Sequence, residues 1–199
     1  ARFEALPEVK DPKSADESLE GELLDAVIRV IAKSGVSAAS MTRIARNAQV
    51  STGTIYPRYA TVDEMLLQAF EHAITKVVDE NFMYVNQTGF APDQFGAMVM
   101  AGLSNQRMVW RNFRVETHLH GRVYSALAES MRKALETTNQ RVASGLGSLP
   151  ISAGEREAIA FLIHTIGIGM ALLQNCGIRV AQLDHRLLTR EMIAAMARR

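Results

Sequence analysis

The chain has a single cysteine, few aromatic residues and almost no net charge. Of its 199 residues, only Cys176 carries a thiol, 6% are Phe, Trp or Tyr, and the formal charge is +1. A lone cysteine excludes a disulfide within the chain, which suits a reducing cytoplasm. An overall charge close to zero gives no sign of a nucleic-acid partner. A basic surface for such a partner would have to be confined to one part of the chain.

No hydrophobic run reaches the length of a membrane span. The most apolar run, residues 158–173, is sixteen residues long and contains His164 and Thr165, whereas a spanning helix needs about twenty apolar residues. We interpret this run as a buried helix and predict no membrane association. No secretory signal is visible, so we expect a cytoplasmic protein. The chain begins at Ala1, and the sequence leaves open whether it is processed or part of a longer protein.

Strand-like alternation and internal repeats are also missing, and the apolar spacing is that of helices throughout. Capping boxes at 14–17, 61–64 and 152–155 predict three helix starts, while Gly35 and Gly177 predict helix ends. Further helices are expected near 92–104, 106–117, 121–143 and 183–197. These signals predict an all-α chain of about nine helices.

Two short helices are predicted between Ser40 and Tyr59. In the first, one buried face repeats at i, i+3, i+4 and i+7, formed by Met41, Ile44, Ala45 and Ala48. Ser40 and Ser51 are predicted to cap the two helices. Three arginines and no acidic residue lie between positions 37 and 60. This pattern indicates a helix-turn-helix whose second helix enters the major groove of DNA.

The same residues resemble a known family. Ile44-Ala45, Ala48-Gln49-Val50-Ser51 and Gly53-Thr54-Ile55-Tyr56 are similar to the DNA-binding unit of the TetR family of bacterial transcriptional repressors. The resemblance implies a helical ligand-binding and dimerisation domain behind the DNA-binding unit. We therefore predict a flexible arm at 1–13, a helix-turn-helix DNA-binding domain at 14–60 and a helical ligand-binding and dimerisation domain at 61–199.

Four positions depart from the family pattern. Gln49 stands where the family has Gly and would be strained if the turn needs a positive φ. Pro57 should kink the second helix or end it one turn early, since it lacks an N–H. Arg58 replaces His, and Val62 replaces a phosphate-binding Lys. These departures motivate an alternative, a helical dimerisation or ligand-binding module with a weakened DNA reader.

The DNA-contacting residues are predicted from their places in the motif. In the second helix, the residues predicted to contact base edges are Thr52, Thr54 and Pro57. Phosphates would meet Ser40, Thr42, Arg43, Tyr56 and Arg58, because hydroxyl and guanidinium groups fix register on the DNA backbone. With only Arg58 offering bidentate hydrogen bonds, DNA shape must share in specificity.

The middle of the chain is rich in methionine, which adapts to varied ligands. By resemblance, a small and largely apolar effector binds there, and we predict contacts from Met98, Trp110, Phe113, His118, Tyr124 and His164. Most of these side chains could equally be ordinary core. Arg107, Arg111 and Arg114 share one helix face, which we interpret as solvated, with binding of an acidic ligand or a lipid headgroup as the alternative.

A homodimer is predicted from the C-terminal helices. Small residues such as Gly167 and Ala171 would allow close approach to a last helix with Leu188, Met192 and Met196. An internal core of one subunit is the alternative. A two-fold protein also suits a palindromic operator.

The sequence gives little support for an enzymatic function. Glu116 and His120 lie at i, i+4 without an evident third metal ligand, and Cys176 has no neighbouring base. We predict no enzyme, no metal and no cofactor. The predicted function is a ligand-responsive regulator, a repressor released from double-stranded operator DNA by a small molecule.

Overall fold

The computed structural model describes residues 12–88, 107–145 and 151–178, and these residues form seven α-helices and no strand. The helices are α1 (Pro12–Ser34), α2 (Met41–Ala48), α3 (Thr52–Ile55), α4 (Val62–Thr88), α5 (Met108–His120), α6 (Ser125–Gly145) and α7 (Ala153–Asn175). A short 3-10 turn, Val36–Ala38, follows α1. The predicted all-α fold is confirmed.

The described part of α1 begins at Pro12, two residues before the predicted cap at Ser14. Ser14 therefore lies within the helix, and the prediction that the 14–17 capping box opens it is wrong. At the other end Gly35 has φ 77°, as predicted for a terminating glycine.

One hydrophobic core joins the N-terminal helices to the middle of the chain. Side chains from α1, α2, α3 and α4 pack with Phe113 of α5 and Leu127 of α6 in a single buried cluster. Tyr59, which follows α3, is also buried, and its hydroxyl donates to Glu20 Oε1 at 3.3 Å. Burial, with Glu20 beside it, raises the pKa of Tyr59 to about 12. The core thus fixes the helix-turn-helix against α4 and α5.

Two of the predicted capping boxes are present. Thr61 Oγ1 accepts from the Glu64 N–H at 3.1 Å, and Glu64 in turn accepts from the Ala60 N–H at 2.8 Å. Ser152 and Glu155 bond reciprocally at the start of α7. Gly177, with φ 75°, follows the end of α7 as predicted.

The last described helix, α7, differs from the predicted buried helix. Its segment Ala153–Leu173 is 21 residues long and apolar enough to cross a membrane, and only 24% of the most apolar part is buried. The core helix of a soluble protein can have the same length and composition, so this property does not assign α7 to a membrane. A row of apolar side chains is exposed along it, namely Phe161, Leu162, Leu172 and Leu173.

Several predictions lie outside the described residues. They are the arm up to residue 11, the helix expected at 92–104 with Met98, and the last helix with Leu188, Met192 and Met196.

Candidate DNA-binding and effector sites

The backbone of α2 and the following turn has helix-turn-helix geometry. Ser40 caps α2, and its Oγ accepts from the Arg43 N–H at 3.3 Å. Gln49 ends the helix in the left-handed region with φ 60° and ψ 34°, and no other non-glycine residue in the described part of the chain has a positive φ. The Val50 N–H then bonds the Ala45 carbonyl at 3.0 Å. The predicted strain at Gln49 is therefore located in the turn that sets the angle between α2 and α3.

The second helix of the motif is a single turn. α3 covers only Thr52–Ile55, as expected from Pro57, and a turn of residues 56–58 follows it. Ser51 holds the capping position but its side chain bonds no backbone N–H there, so that predicted cap is wrong. Its Oγ instead lies 3.1 Å from Thr54 Oγ1. The two hydroxyls satisfy each other, which leaves the start of α3 without a side-chain cap.

The predicted phosphate-binding side chains are on the surface. Tyr56 is 60% exposed, and Pro57 and Arg58 beside it are exposed as well. Arg58 Nη1 donates to the Thr54 carbonyl at 3.0 Å, which lays the guanidinium along α3. Arg43 is exposed and donates to the Ala38 carbonyl at 3.2 Å and to Ser34 Oγ at 2.9 Å. Both arginines are thus held at the edges of the motif.

Of the three predicted base-reading side chains, Pro57 is exposed and the two threonines are less accessible. Thr52 and Thr54 are half-buried, whereas Gly53 between them is exposed. Sequence reasoning missed Arg29 of α1, whose Nε donates to Asn47 Oδ1 of α2 at 2.9 Å. No local pattern could reveal this contact, because the two residues are 18 apart in the chain. Arg29 adds a fourth exposed arginine to Arg43, Arg46 and Arg58 on the N-terminal unit.

Comparison with known proteins agrees with this geometry. Residues 23–69 match the family model described as bacterial regulatory proteins, tetR family. The chain carries the DNA-binding domain of the TetR family. The matched residues run from the buried face of α1 through α2 and α3 into α4, so they include the whole helix-turn-helix. The family resemblance predicted from the sequence is confirmed over these residues, and with it the class of DNA-binding transcriptional regulator.

Solved structures show that the likeness extends to the whole fold. A transcriptional regulator from Rhodococcus sp. Rha1 is 23% identical with a TM-score of 0.69, over 89% of this chain and 95% of that one. The fatty acid degradation regulator FadR from Bacillus halodurans is 18% identical with a TM-score of 0.68, over 94% and 96% of the two chains. A structure described as a transcriptional regulator from Saccharomonospora viridis, in complex with choline, is 15% identical with a TM-score of 0.70, over 90% and 95%.

The residues predicted to bind an effector do not form one group in the described structure. Phe113 is fully buried in the core, and Trp110 and Tyr124 pack against that core. Lys76 Nζ lies 5.4 Å from the centre of the Trp110 ring. His118 and His164 come together elsewhere, with ring centroids 5.6 Å apart. Phe113 is thus part of the core, whereas Trp110 and Tyr124 are half-buried at its edge.

A cavity of about 490 Å³ lies elsewhere, between α4 and α6. None of the predicted effector residues lines it. Its wall is mixed, with Leu67 and Ile74 beside Glu71, Glu129, Lys133 and Arg141. Its volume is within the range of small-molecule pockets. No group of three His, Cys, Asp or Glu side chains in the described residues could hold a metal ion.

The arginine stripe of α5 is covered, so the interpretation as a solvated face is wrong. Arg111 is only 4% exposed, and burial lowers the pKa of its guanidinium. Arg114 keeps some exposed surface, but protein atoms surround its guanidinium and burial lowers its pKa to about 10. Because a nearby carboxylate would raise that pKa, the direction of the shift agrees with a cationic group that has no acidic neighbour in the described part of the chain.

Arg114 is held by histidine instead. Its Nη2 donates to His164 Nδ1 of α7 at 2.9 Å, and its own carbonyl accepts from His118 Nδ1 at 2.6 Å. Burial, and then the charge of Arg114, lowers the pKa of His164 to about 3. Burial is also the main cause of the lowered pKa of His118. Both imidazoles are therefore neutral at pH 7, and the cluster has the positive charge of Arg114.

Two residues predicted for the dimer interface face the inside of the chain. A Cβ added at Gly167 would lie 3.6 Å from Arg114 Nη1, and Ala171 is 1% exposed. A methyl group at Gly167 would thus make an ordinary contact with the guanidinium, so this half-buried position faces Arg114. Ala171 is packed within the chain, and the exposed apolar face of α7 is the row at 161, 162, 172 and 173.

Proposed function

We propose that this protein is a homodimeric repressor that binds operator DNA through α2 and α3 and leaves it when a small molecule binds the helical domain. The observation that carries the proposal is the helix-turn-helix in residues 40–59, matched to the TetR family and free of carboxylates over residues 37–60. TetR-family regulators bind operator DNA and small molecules, typically dimerise and are generally not enzymes. Such a regulator acts at the chromosome, so we place it in the cytoplasm.

The proposed DNA contacts divide by chemistry. Tyr56 and Arg58 form the exposed tip beyond α3 and suit phosphate oxygens, together with Thr42 and Arg43 at the start of α2. Thr52, Thr54 and Pro57 remain the proposed base contacts, through methyl and hydroxyl groups. Because α3 is one turn long, little side-chain surface enters the groove. Two copies of the motif are then needed for useful affinity, since each brings few cationic groups.

The test is DNA binding as a function of salt concentration. Fragments enriched by the protein from a random-sequence pool would be titrated by fluorescence anisotropy beside shuffled fragments. Arg58→Ala should weaken binding at least about tenfold and flatten the salt slope by about one per bound arginine. Arg132→Ala is the matched control, because Arg132 is an exposed arginine on α6 with Glu129 and Glu136 as partners.

The alternative function, a helical module with a weakened DNA reader, makes the opposite prediction. Left-handed Gln49 and the one-turn α3 are the observations that favour it. Weak binding that ignores DNA sequence and is unchanged by Arg58→Ala would support this alternative and overturn the repressor proposal.

The proposed dimer contact is the exposed apolar row of α7. Phe161 is 54% exposed and Leu172 is 47% exposed, which is unusual for such large side chains on one helix. We propose that a second copy of the chain covers them, because a two-fold pair of reading helices matches two operator half-sites. Leu188, Met192 and Met196 would extend this contact as predicted from the sequence.

A further inference from the structure

We propose that Arg114 and His164, beside His118, form a binding site for an anionic group, a carboxylate or a phosphate, on the effector of this protein. The site lies between α5 and α7, away from the DNA-binding surface and from the cavity between α4 and α6. The inference rests on the proposed function, in that it assigns a chemical class to the small molecule that the helical domain binds.

The first support is an arginine whose charge is not balanced within the described residues. Arg114 has His164 as its side-chain partner, and its Nε is buried without a hydrogen-bond partner. A buried guanidinium is costly unless an anion or several acceptors face it. A neutral imidazole supplies one acceptor, so donors remain that a carboxylate or phosphate could satisfy in a bidentate manner.

The second support is the arrangement of polar groups on facing helices. Arg107, Arg111, Arg114 and His118 are spaced i, i+4, i+7 and i+11, which places them on one face of α5. That face packs on α7 at His164 and at Gly167, which faces the Arg114 guanidinium. A face made only for packing would carry apolar residues here, as α5 does on its other side with Phe113.

The third support is the state of the two imidazoles. His164 Nδ1 lies 2.9 Å from Arg114 Nη2 and accepts from it, so the neutral ring has its proton on Nε2, which lies 3.4 Å from the same Nη2 atom. His118 uses its Nδ1 proton on the Arg114 carbonyl. Arg114 and His164 therefore supply one cationic and one neutral donor, with no carboxylate among the described contacts of the cluster, which is a suitable set for one anionic head group.

The position of α5 connects such a site to the DNA-binding unit. Two residues beyond Arg114, the Glu116 carboxylate lies against the turn at Gly35. At the end of the same helix, His120 Nε2 is 3.0 Å from Asp63 Oδ1 at the start of α4. An anion that prefers one position of α5 would therefore shift the equilibrium between arrangements of the reading helices by its difference in affinity.

The experiment compares ligands that differ only in head group. Octanoate, octyl phosphate, 1-octanol and octylamine are titrated into the full-length protein by calorimetry, and inorganic phosphate serves as the anion alone. Octanoate or octyl phosphate should bind at least about tenfold more tightly than octanol and octylamine, the difference expected of charge-assisted hydrogen bonds. The better of the two anions identifies the head group.

Two variants locate the site. Arg114→Gln should remove the preference for an anion, and His164→Gln should reduce it. Lys133→Gln, at the cavity between α4 and α6, should leave it unchanged. Equal binding of octanol and octanoate, or a preference that survives Arg114→Gln and is lost in Lys133→Gln, overturns the inference. Thermal unfolding of each variant identifies any that fail to fold, and His164→Gln then carries the test.

Failure of the proposed function and failure of the anion site would give different experimental results. Anion binding is measured without DNA, and operator binding is measured without ligand. If octanoate binds through Arg114 but leaves operator affinity unchanged, the site exists and the protein is not released by it. If operator binding responds equally to octanol, the regulator proposal stands and the anion site does not.

Discussion

At the scale of single residues, Gln49 and His164 have the most unusual environments. Gln49 adopts a left-handed backbone that favours glycine, and His164 is a partly buried imidazole beside a cation. The first position could be anticipated, because the family pattern has glycine there. The second could not, because its partner Arg114 is 50 residues away.

Replacing Gln49 with glycine should stabilise the protein. A glycine at φ 60° has no Cβ clash, so Gln49→Gly should raise the free energy of unfolding by up to about 1 kcal/mol. Gln68→Gly, inside α4, is the control and should lower it by about 1 kcal/mol. Urea denaturation at fixed protein concentration measures both. Equal destabilisation by the two changes would show that the turn at Gln49 is not strained.

His164 should make stability depend on pH. Its pKa is about 3 in the folded protein and about 6.5 in an unfolded chain. The unfolded state therefore binds more protons between these values, and the free energy of unfolding falls as the pH drops below 6.5. By pH 5 the loss should reach roughly 1 to 2 kcal/mol.

The variant His164→Gln isolates this effect, since Gln keeps an acceptor for Arg114 and does not titrate. Its unfolding free energy, measured in urea from pH 5 to 8, should change less than that of the natural chain. Parallel curves for the two proteins would contradict the lowered pKa of His164.

At the scale of elements, the helix starts and the two faces of α5 show which features can be predicted from the sequence. The boxes at Thr61 and Ser152 and the cap at Ser40 could be predicted, because each bond joins residues three or four apart. Ser51 shows the limit of such rules, since a second hydroxyl at Thr54 competes for its oxygen. The apolar face of α5 was identifiable, whereas the burial of its arginine face depends on α7.

Ser40 and Ser51 provide a matched pair for this element-level difference. Ser40→Ala removes an observed cap of α2 and should cost about 1 kcal/mol of unfolding free energy. Ser51→Ala removes no bond to the backbone and should cost less than half as much. Thermal or urea unfolding of the two variants would decide, and a larger cost for Ser51→Ala would contradict the hydrogen bonding described for α3.

At the scale of the whole molecule, the apolar row of α7 is exposed in a single chain, and we propose that a second copy covers it. Phe161→Glu would place a charge in the proposed interface and should weaken dimerisation at least about a hundredfold. Val123→Glu is the control, because Val123 is 79% exposed on a turn between α5 and α6. Light scattering after size-exclusion chromatography measures both masses. A dimer that survives Phe161→Glu would move the interface away from this face.

The sequence by itself determined the helix-turn-helix, the family, the all-α fold and the early end of α3. These follow from local physics, since helical periodicity, caps and Pro57 act within a few residues. Tertiary structure alone decided that Arg111 and Arg114 are buried and that Gly167 faces a guanidinium. Whether one face of a helix meets water or protein depends on a partner far along the chain, here α7. The same packing left an apolar row on the outside of α7, where a second chain is expected.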